Sequence, residues 1–136
     1  MTSATGGSKV VVLAGGTGGA KLARGMLDVV GPEDLVVIAN TGDDIDIYGA
    51  HVSPDPDLVS FWLGDLINER GWGIEGDTFE VMEALRKLGA EVWFNLGDRD
   101  LAWCIGAAGW RMKGCDQPRP WPGSTRRLGC ARRFCR

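Results

Sequence analysis

Apolar positions along this chain alternate between short continuous runs and helical steps, and the order of the two rhythms predicts the elements. Lys9–Leu13 is a β-branched run; after a glycine cluster, Leu22, Met26 or Leu27, and Val30 recur at helical spacing within Ala20–Val30. Strand, loop and helix follow in that order. Gly31-Pro32 ends the helix, Leu35–Ala39 is a second strand of buried type, and a right-handed crossover makes the two strands parallel. Asn40–Ser53 is expected as a long loop. A second helix is expected with Asp55 as its N-cap and Pro56 at its first position, ahead of Leu58, Val59, Trp62, Leu63 and Leu66. Asp77-Thr78-Phe79-Glu80 has the form of a capping box with Asp in place of Ser or Thr. Val81, Met82, Leu85 and Leu88 follow it, Arg86-Lys87 suit the helix dipole, and Gly89 ends the turn. Glu91–Leu96 is expected as a third strand, with Gly97-Asp98-Arg99-Asp100 at its C-terminal end, where open α/β sheets gather ligand groups. The expected fold class is α/β: a Rossmann-like parallel sheet of about three strands with three helices, then an irregular C-terminal tail.

The composition fits that picture over most of the chain. With 136 residues, 44% of them hydrophobic, one globular domain is the expectation and a disordered chain is excluded. The apolar runs fall far short of the ~20 residues that cross a bilayer, and Met1–Ser8 has no signal-peptide pattern, so a cytoplasmic protein with a disordered start over residues 1–8 is expected. The charge is not evenly spread. Residues 1–102 hold 7 Lys and Arg against 17 Asp and Glu, whereas residues 103–136 hold 8 against 1, together with all four cysteines. This seam separates an α/β segment, 9–102, from a basic tail, 103–136.

Chemistry concentrates in the loops after the strands. Gly15, Gly16, Thr17, Gly18, Gly19 and Lys21 join the first strand to a helix N-terminus, where bare amides and the helix dipole can hold a phosphate. The loop is neither G-x-G-x-x-G nor a Walker A loop, and its glycines also suit a plain tight turn. After the second strand, Asp43, Asp44 and Asp46 fall within four residues. They could hold a divalent cation such as Mg²⁺ shared with a phosphate, bind a ribose hydroxyl, or form a solvated loop. Asp55 is explained as a cap, which leaves Asp57 freer to act. Arg99 either pairs structurally with Asp98 and Asp100 or grips an anion. His51 is the only histidine, so neither a Ser-His-Asp type site nor a multi-histidine metal site is expected, and it reads as a loop hydrogen-bonder. The cysteine spacings match no zinc pattern, so the cysteines read as incidental, and the basic tail has no period that would present it to nucleic acid.

Four ordered motifs carry a resemblance. VVLAGGTGGAKLARG (11–25), ANTGDDIDIYGAHVSPDPDLV (39–59), RGWGIEGDTFEVMEAL (70–85) and WFNLGDRDLA (93–102) resemble the 2-phospho-L-lactate and phosphoenolpyruvate transferase family (CofD, or FbiA in actinobacteria) over its first third. The resemblance implies transfer of a phospholactyl or phosphoenolpyruvyl group from a guanosine-diphosphate-linked donor to 7,8-didemethyl-8-hydroxy-5-deazariboflavin. GMP is released, Mg²⁺ is the cofactor, the product leads to coenzyme F(420), and complete chains commonly form homodimers. It implies Asp43 as metal ligand, Asp57 and Asn95 as contacts to the deazaflavin acceptor, and the glycine loop as the cradle for donor phosphates; no catalytic base is implied. Gluconeogenesis-factor (YvcK-like) proteins, read as non-enzymatic nucleotide- or sugar-nucleotide-binding modules, are the alternative. Neither nucleic acid nor membrane is expected as a partner.

After Ala102 the resemblance stops abruptly. The Arg, Gly, Ala, Pro, Cys and Trp content of the tail is what G+C-rich DNA yields out of frame, and a frameshift near codon 102 is expected. Back-translation from the third base of the Trp103 codon meets no forced stop and permits Val-His-Arg followed by a helix-like stretch. On this reading the chain itself is expected to be inactive.

Overall fold

β1 (Val10–Ala14) and β2 (Leu35–Ala39) pair in parallel, with Val10 opposite Leu35 and Ala14 opposite Ala39. α1 (Thr17–Val30) crosses between them and packs on one face of the pair, where Val12, Ala23 and Leu35 are buried together. The computed structural model describes residues 8–112, and among these it is a mixed α/β chain with a small parallel sheet and four helices. The expectations for Met1–Gly7 and for residues 113–136, with Cys115, Cys130 and Cys135, lie outside the described residues.

α1 begins three residues earlier than its apolar spacing predicts, inside the glycine cluster. Gly16 is its N-cap at φ 92° and ψ −165°, a conformation essentially confined to glycine, and this lets the strand turn directly into the helix. Gly19 has a different task. A Cβ built there would lie 2.5 Å from the Ala14 Cα, so the first turn of α1 sits directly on the end of β1 only because position 19 has no side chain. Gly18 faces open space.

The expected long loop over 40–53 is largely a hairpin. β3 (Ile45–Ile47) and β4 (Ala50–Val52) pair antiparallel, with Tyr48 at φ 52° and Gly49 at φ 77° forming the connection. Two positive φ angles in a two-residue loop are what the right-handed twist of a hairpin favours. The expected third strand at 91–96 is not formed. Its place is taken by an irregular segment in which the Tyr48 hydroxyl donates to the Phe94 carbonyl at 2.8 Å and accepts the Phe94 N–H at 3.3 Å. A side chain thus satisfies both backbone groups that a neighbouring strand would have satisfied.

The helix starts also differ. α2 (Pro54–Leu63) takes Ser53 as N-cap and Pro54 as its first residue, which places Asp55 inside the first turn rather than at the cap. α3 (Glu80–Lys87) is not capped by Asp77: the Asp98 carboxylate accepts the N–H groups of Glu80 and Val81, each at 3.0 Å. Asp77 instead accepts from Arg99 N and Asp100 N, at 2.8 and 3.1 Å, at the start of α4. α4 (Asp98–Met112) is a fourth helix, and it runs straight through the charge seam where an irregular tail is expected. Its Leu101 and Cys104 pack with Ala50, Val52, Met82 and Leu96, while Trp103 meets Phe61 edge-on at 5.6 Å between ring centroids. No helix among the described residues is long and apolar enough to cross a membrane.

The two glycines of α1 make a paired prediction. Gly19→Ala is expected to destabilise the chain by about 1–3 kcal/mol, because backbone must move to admit the methyl group. Gly18→Ala is expected to be neutral or to stabilise by up to about 1 kcal/mol, since alanine favours the helix. Urea melts of the two variants check both; equal effects at the two positions would contradict the packing described.

Candidate functional site

A cleft of about 640 Å³ opens between the N-terminal end of α1 and that of α4. Gly16, Asp55, Asp57, Arg70, Trp72, Phe79, Phe94, Asn95, Gly97 and Asp100 are among the residues that line it. Of the residues expected from the sequence to bind ligand, Gly16, Asp57 and Asn95 meet here. The other positions of the glycine segment do not line the cleft: Thr17, Gly18, Gly19 and Lys21 are helical, and the Lys21 ammonium lies over the Trp62 ring at 5.5 Å. The helix start carries no side-chain cap and no acidic residue in its own first turn, so the acid nearest its positive end comes from another element, Asp55.

Asp43 lies just outside this lining and is tied to it by one side chain. Asn40 Nδ2 donates to Asp43 Oδ2 at 3.1 Å and to Asp55 Oδ2 at 3.0 Å, while Asn40 Oδ1 accepts the Gly42 N–H at 2.9 Å. The second carboxylate of this pair reaches the α1 end: a Cβ built on Gly16 would lie 3.8 Å from Asp55 Oδ1. Asp55 therefore belongs to the site and not to a helix cap. The remaining acids of that loop turn to the hairpin, although Asp44 Oδ1 is buried without a hydrogen-bond partner. Asp44 Oδ2 accepts from the Ser53 hydroxyl at 3.0 Å and contacts His51 Nε2 at 3.3 Å, and Asp46 contacts His51 Nδ1 at 2.7 Å. His51 is a hydrogen-bonder as its solitary position suggests, but in β4 rather than in a loop.

Asp57 is more constrained than expected. Its carboxylate accepts Trp103 Nε1–H at 2.9 Å and the Ser53 N–H at 3.2 Å, with the Cys104 Sγ 3.7 Å away. Burial raises its pKa, and the Trp103, Ser53 and Cys104 hydrogen bonds oppose that rise. Asn95 enters from the irregular segment, its Oδ1 accepting from the Arg86 guanidinium at 2.9 Å. Arg99 is not clasped between acids: its guanidinium donates to the Glu75 carbonyl at 2.7 Å, while Asp98 and Asp100 diverge. The Thr78 hydroxyl, then the Val81 and Glu80 amides, hold Asp98 below the usual carboxylate range.

Asp100 is the residue whose weight the sequence does not reveal. Burial, then the nearby charges of Asp57 and Asp77, push its carboxyl up to about 7. One ligand atom each from Asp57, Asp100 and Cys104 fall within 4.8 Å of one another. Burial, followed by the same two carboxylates, also raises the Cys104 thiol, which keeps it protonated at neutral pH. The cluster suits a retained proton better than a metal, whereas exposed Asp43 and half-buried Asp55 together offer the hard oxygen donors that suit Mg²⁺. Cys104 is thus not incidental to the fold. Helix periodicity alone gives no signal for it, because the contact is made by residues 57, 100 and 104 from two helices.

No family model matches the chain. Curated relatives do: over 96 residues, 69% of this chain, it is 50% identical to a phosphoenolpyruvate transferase of Streptomyces griseus. Over 99 residues, 72% of this chain, it is 46% identical to a 2-phospho-L-lactate transferase of Methanothermobacter thermautotrophicus; a Methanocaldococcus jannaschii protein of that name is 47% identical over 94 residues, 68% of this chain. The matched segment is homologous to the N-terminal part of these transferases, as its four motifs suggest. The chain spans about 30% of the length of the curated relatives it matches.

The Asp100 environment sets a pH dependence. The folded chain keeps a proton up to about pH 7 that an unfolded chain, with an ordinary aspartate near 3.8, has already released. The stability contributed by this group is therefore fully present below pH 4, falls as pH rises through 4 to 7, and does not change further above that range. Asp100→Asn removes this ionisation. It is expected to stabilise the chain at pH 8 by on the order of 1–3 kcal/mol relative to its effect at pH 4. Denaturant midpoints at the two pH values check this; a gain of equal size at both would refute it.

Proposed function

We propose that this segment is the part of a phospholactyl or phosphoenolpyruvyl transferase that grips the donor diphosphate and faces the deazaflavin acceptor. The whole reaction joins that group, from a guanosine-diphosphate-linked donor, to a hydroxyl of 7,8-didemethyl-8-hydroxy-5-deazariboflavin and releases GMP, a step toward coenzyme F(420). The observation that carries this reading is one cleft holding the uncapped start of α1 at Gly16, the acids Asp55 and Asp57, Asn95, and ring walls from Trp72, Phe79 and Phe94. An anion pole beside an aromatic slot suits a diphosphate donor and a flat acceptor.

Each group has a role in this reading. The first-turn amides of α1 orient the donor phosphates. Asp43 and Asp55, held together through Asn40, would ligate Mg²⁺ through one oxygen each and leave positions open for phosphate and water. The ion would supply neutralisation of the diphosphate charge. Asp57 and Asn95 would hold the acceptor by hydrogen bonds, with Trp72, 67% exposed, available for stacking against its rings. In-line attack on a diester phosphorus depends on positioning and charge neutralisation more than on a protein nucleophile, so the absence of an assigned base is consistent with the chemistry.

The isolated 136-residue chain is proposed to bind nucleotide without turning over. GDP with Mg²⁺ is expected to raise its melting temperature, and Asp43→Asn to weaken that Mg²⁺-dependent binding about tenfold or more. Incubation with deazaflavin, donor and Mg²⁺ is expected to give no coupled product by mass. Product formation would overturn the proposed inactivity. A chain that ignores GDP but is stabilised by sugar nucleotides would move the reading to a non-enzymatic binding module.

A further inference from the structure

Acids dominate the wall of the cleft. Asp55, Asp57, Glu69, Glu75, Asp77 and Asp100 line it, and Arg70 is the one Lys or Arg among the lining residues. A diphosphate drawn to the start of α1 must enter past these acids, so a cation on the wall matters more here than in a neutral pocket. The other cations around the cleft are held by the fold. Lys21 lies over the Trp62 ring, Arg86 donates to Asn95, and Arg99 donates to the Glu75 carbonyl. Arg70 is exposed and makes no hydrogen bond or ion pair to any described residue.

The backbone beneath Arg70 is fixed although its side chain is not. An isolated bridge joins Ile67 to Ile74. Inside it the Asn68 N–H donates to the Gly73 carbonyl at 3.2 Å, the Gly71 N–H to the Asn68 carbonyl at 2.9 Å, and the Trp72 N–H to Asn68 Oδ1 at 3.2 Å. Glu69 and Arg70 are therefore the central residues of a closed turn. Gly71, at φ 79°, sets that turn against α1 and α2: a Cβ built on it would lie 3.5 Å from Trp62 Cζ2, 3.9 Å from Lys21 Cε and 4.0 Å from Thr17 Cγ2. Arg70 is thus one peptide bond from a contact with the first turns of the helix whose amides are proposed to orient the donor phosphates. We propose that the Arg70 guanidinium is a direct ligand of the donor diphosphate, gripping two of its oxygens beside the start of α1. A planar fork matches phosphate oxygens in pairs, keeps its charge at every working pH, and is weakly hydrated enough to leave solvent readily. This deepens the donor reading of the cleft and rests on it.

Calorimetric titration of the 136-residue chain with GDP and with inorganic pyrophosphate, at one Mg²⁺ concentration, tests the assignment. Neither probe carries a carboxylate, so both report on the phosphates and not on the acid group that the donor transfers. Arg70→Gln is expected to weaken both about 10- to 100-fold, the loss of a charge-assisted hydrogen-bonded pair. Arg70→Lys keeps the charge without the fork and is expected to recover part of that loss. Lys87→Gln, which removes one exposed charge outside the lining, is expected to change neither affinity. Urea melts without ligand should coincide for the unaltered chain and the Arg70 variants, and a loss of stability matching the loss of affinity would make the role structural and overturn the assignment. GDP affinity unchanged in Arg70→Gln overturns it too and leaves the donor reading standing. So does a loss that Lys87→Gln reproduces, or one confined to GDP, which would trace to the nucleoside. An unaltered chain that binds neither probe overturns the donor reading and the assignment together.

Discussion

Two aspartates that exchange helices hold the lower half of this molecule together. Asp98, at the first position of α4, caps α3, and Asp77, just ahead of α3, caps α4. Each carboxylate satisfies orphan amides of the helix to which it does not belong, so neither helix can shift without uncapping the other. Thr78 closes the arrangement, its hydroxyl donating to Asp98 and its carbonyl accepting the Asp98 N–H at 2.8 Å. Gly97 is required at the crossing, because a Cβ there would overlap the Asp77 carboxylate.

The position of α4 decides the electrostatics of the cleft. With its first turn fixed, Asp100 and Cys104 come up one helical turn apart beneath Asp57, and Trp103 reaches across to donate to Asp57. The three acids Asp57, Asp77 and Asp100 crowd together from different elements, which is why burial and mutual repulsion lift Asp100 so far. At the opposite end of the cleft Asp43 is exposed, Asp55 half-buried, and Asn40 bridges the two. One hollow therefore has a proton-retaining acidic floor and a second, more open acidic pair at its rim.

What the sequence disclosed follows from the range of each interaction. β1, α1 and β2, their parallel pairing and the existence of α2 and α3 were legible because their apolar periodicity is local. The hairpin was missed because Ile45-Asp46-Ile47 and Ala50-His51-Val52 are each only three residues long, too short for alternation to stand out. The strand expected at Glu91–Leu96 has strand-like residues but no strand partner among the described residues, and the Tyr48 hydroxyl substitutes for one. The capping box at Asp77 was the right residue type at the right spacing assigned to the wrong helix. Nothing local distinguishes the two, since both helix starts carry acids. Of the residues singled out through motif order, Gly16, Asp57 and Asn95 share the cleft, whereas Asp100 depends on contacts 43 residues apart with Asp57 that no spacing rule encodes.

The charge seam takes on a different meaning once α4 is seen to cross it. Trp103 and Cys104, the first two residues on the basic side, are 7% and 1% exposed and complete cores whose other members all precede residue 102. They also take up part of the hydrogen-bonding capacity of Asp57. An indole N–H held by a buried carboxylate is not given up freely: leaving either group unpaired costs about 1–3 kcal/mol. An acceptor that engages Asp57 must therefore use its remaining lone pairs or replace the indole with a donor at least as good. On the function proposed above, stability and ligand binding would draw on the same carboxylate, because the residues that close the core are the ones that hold Asp57.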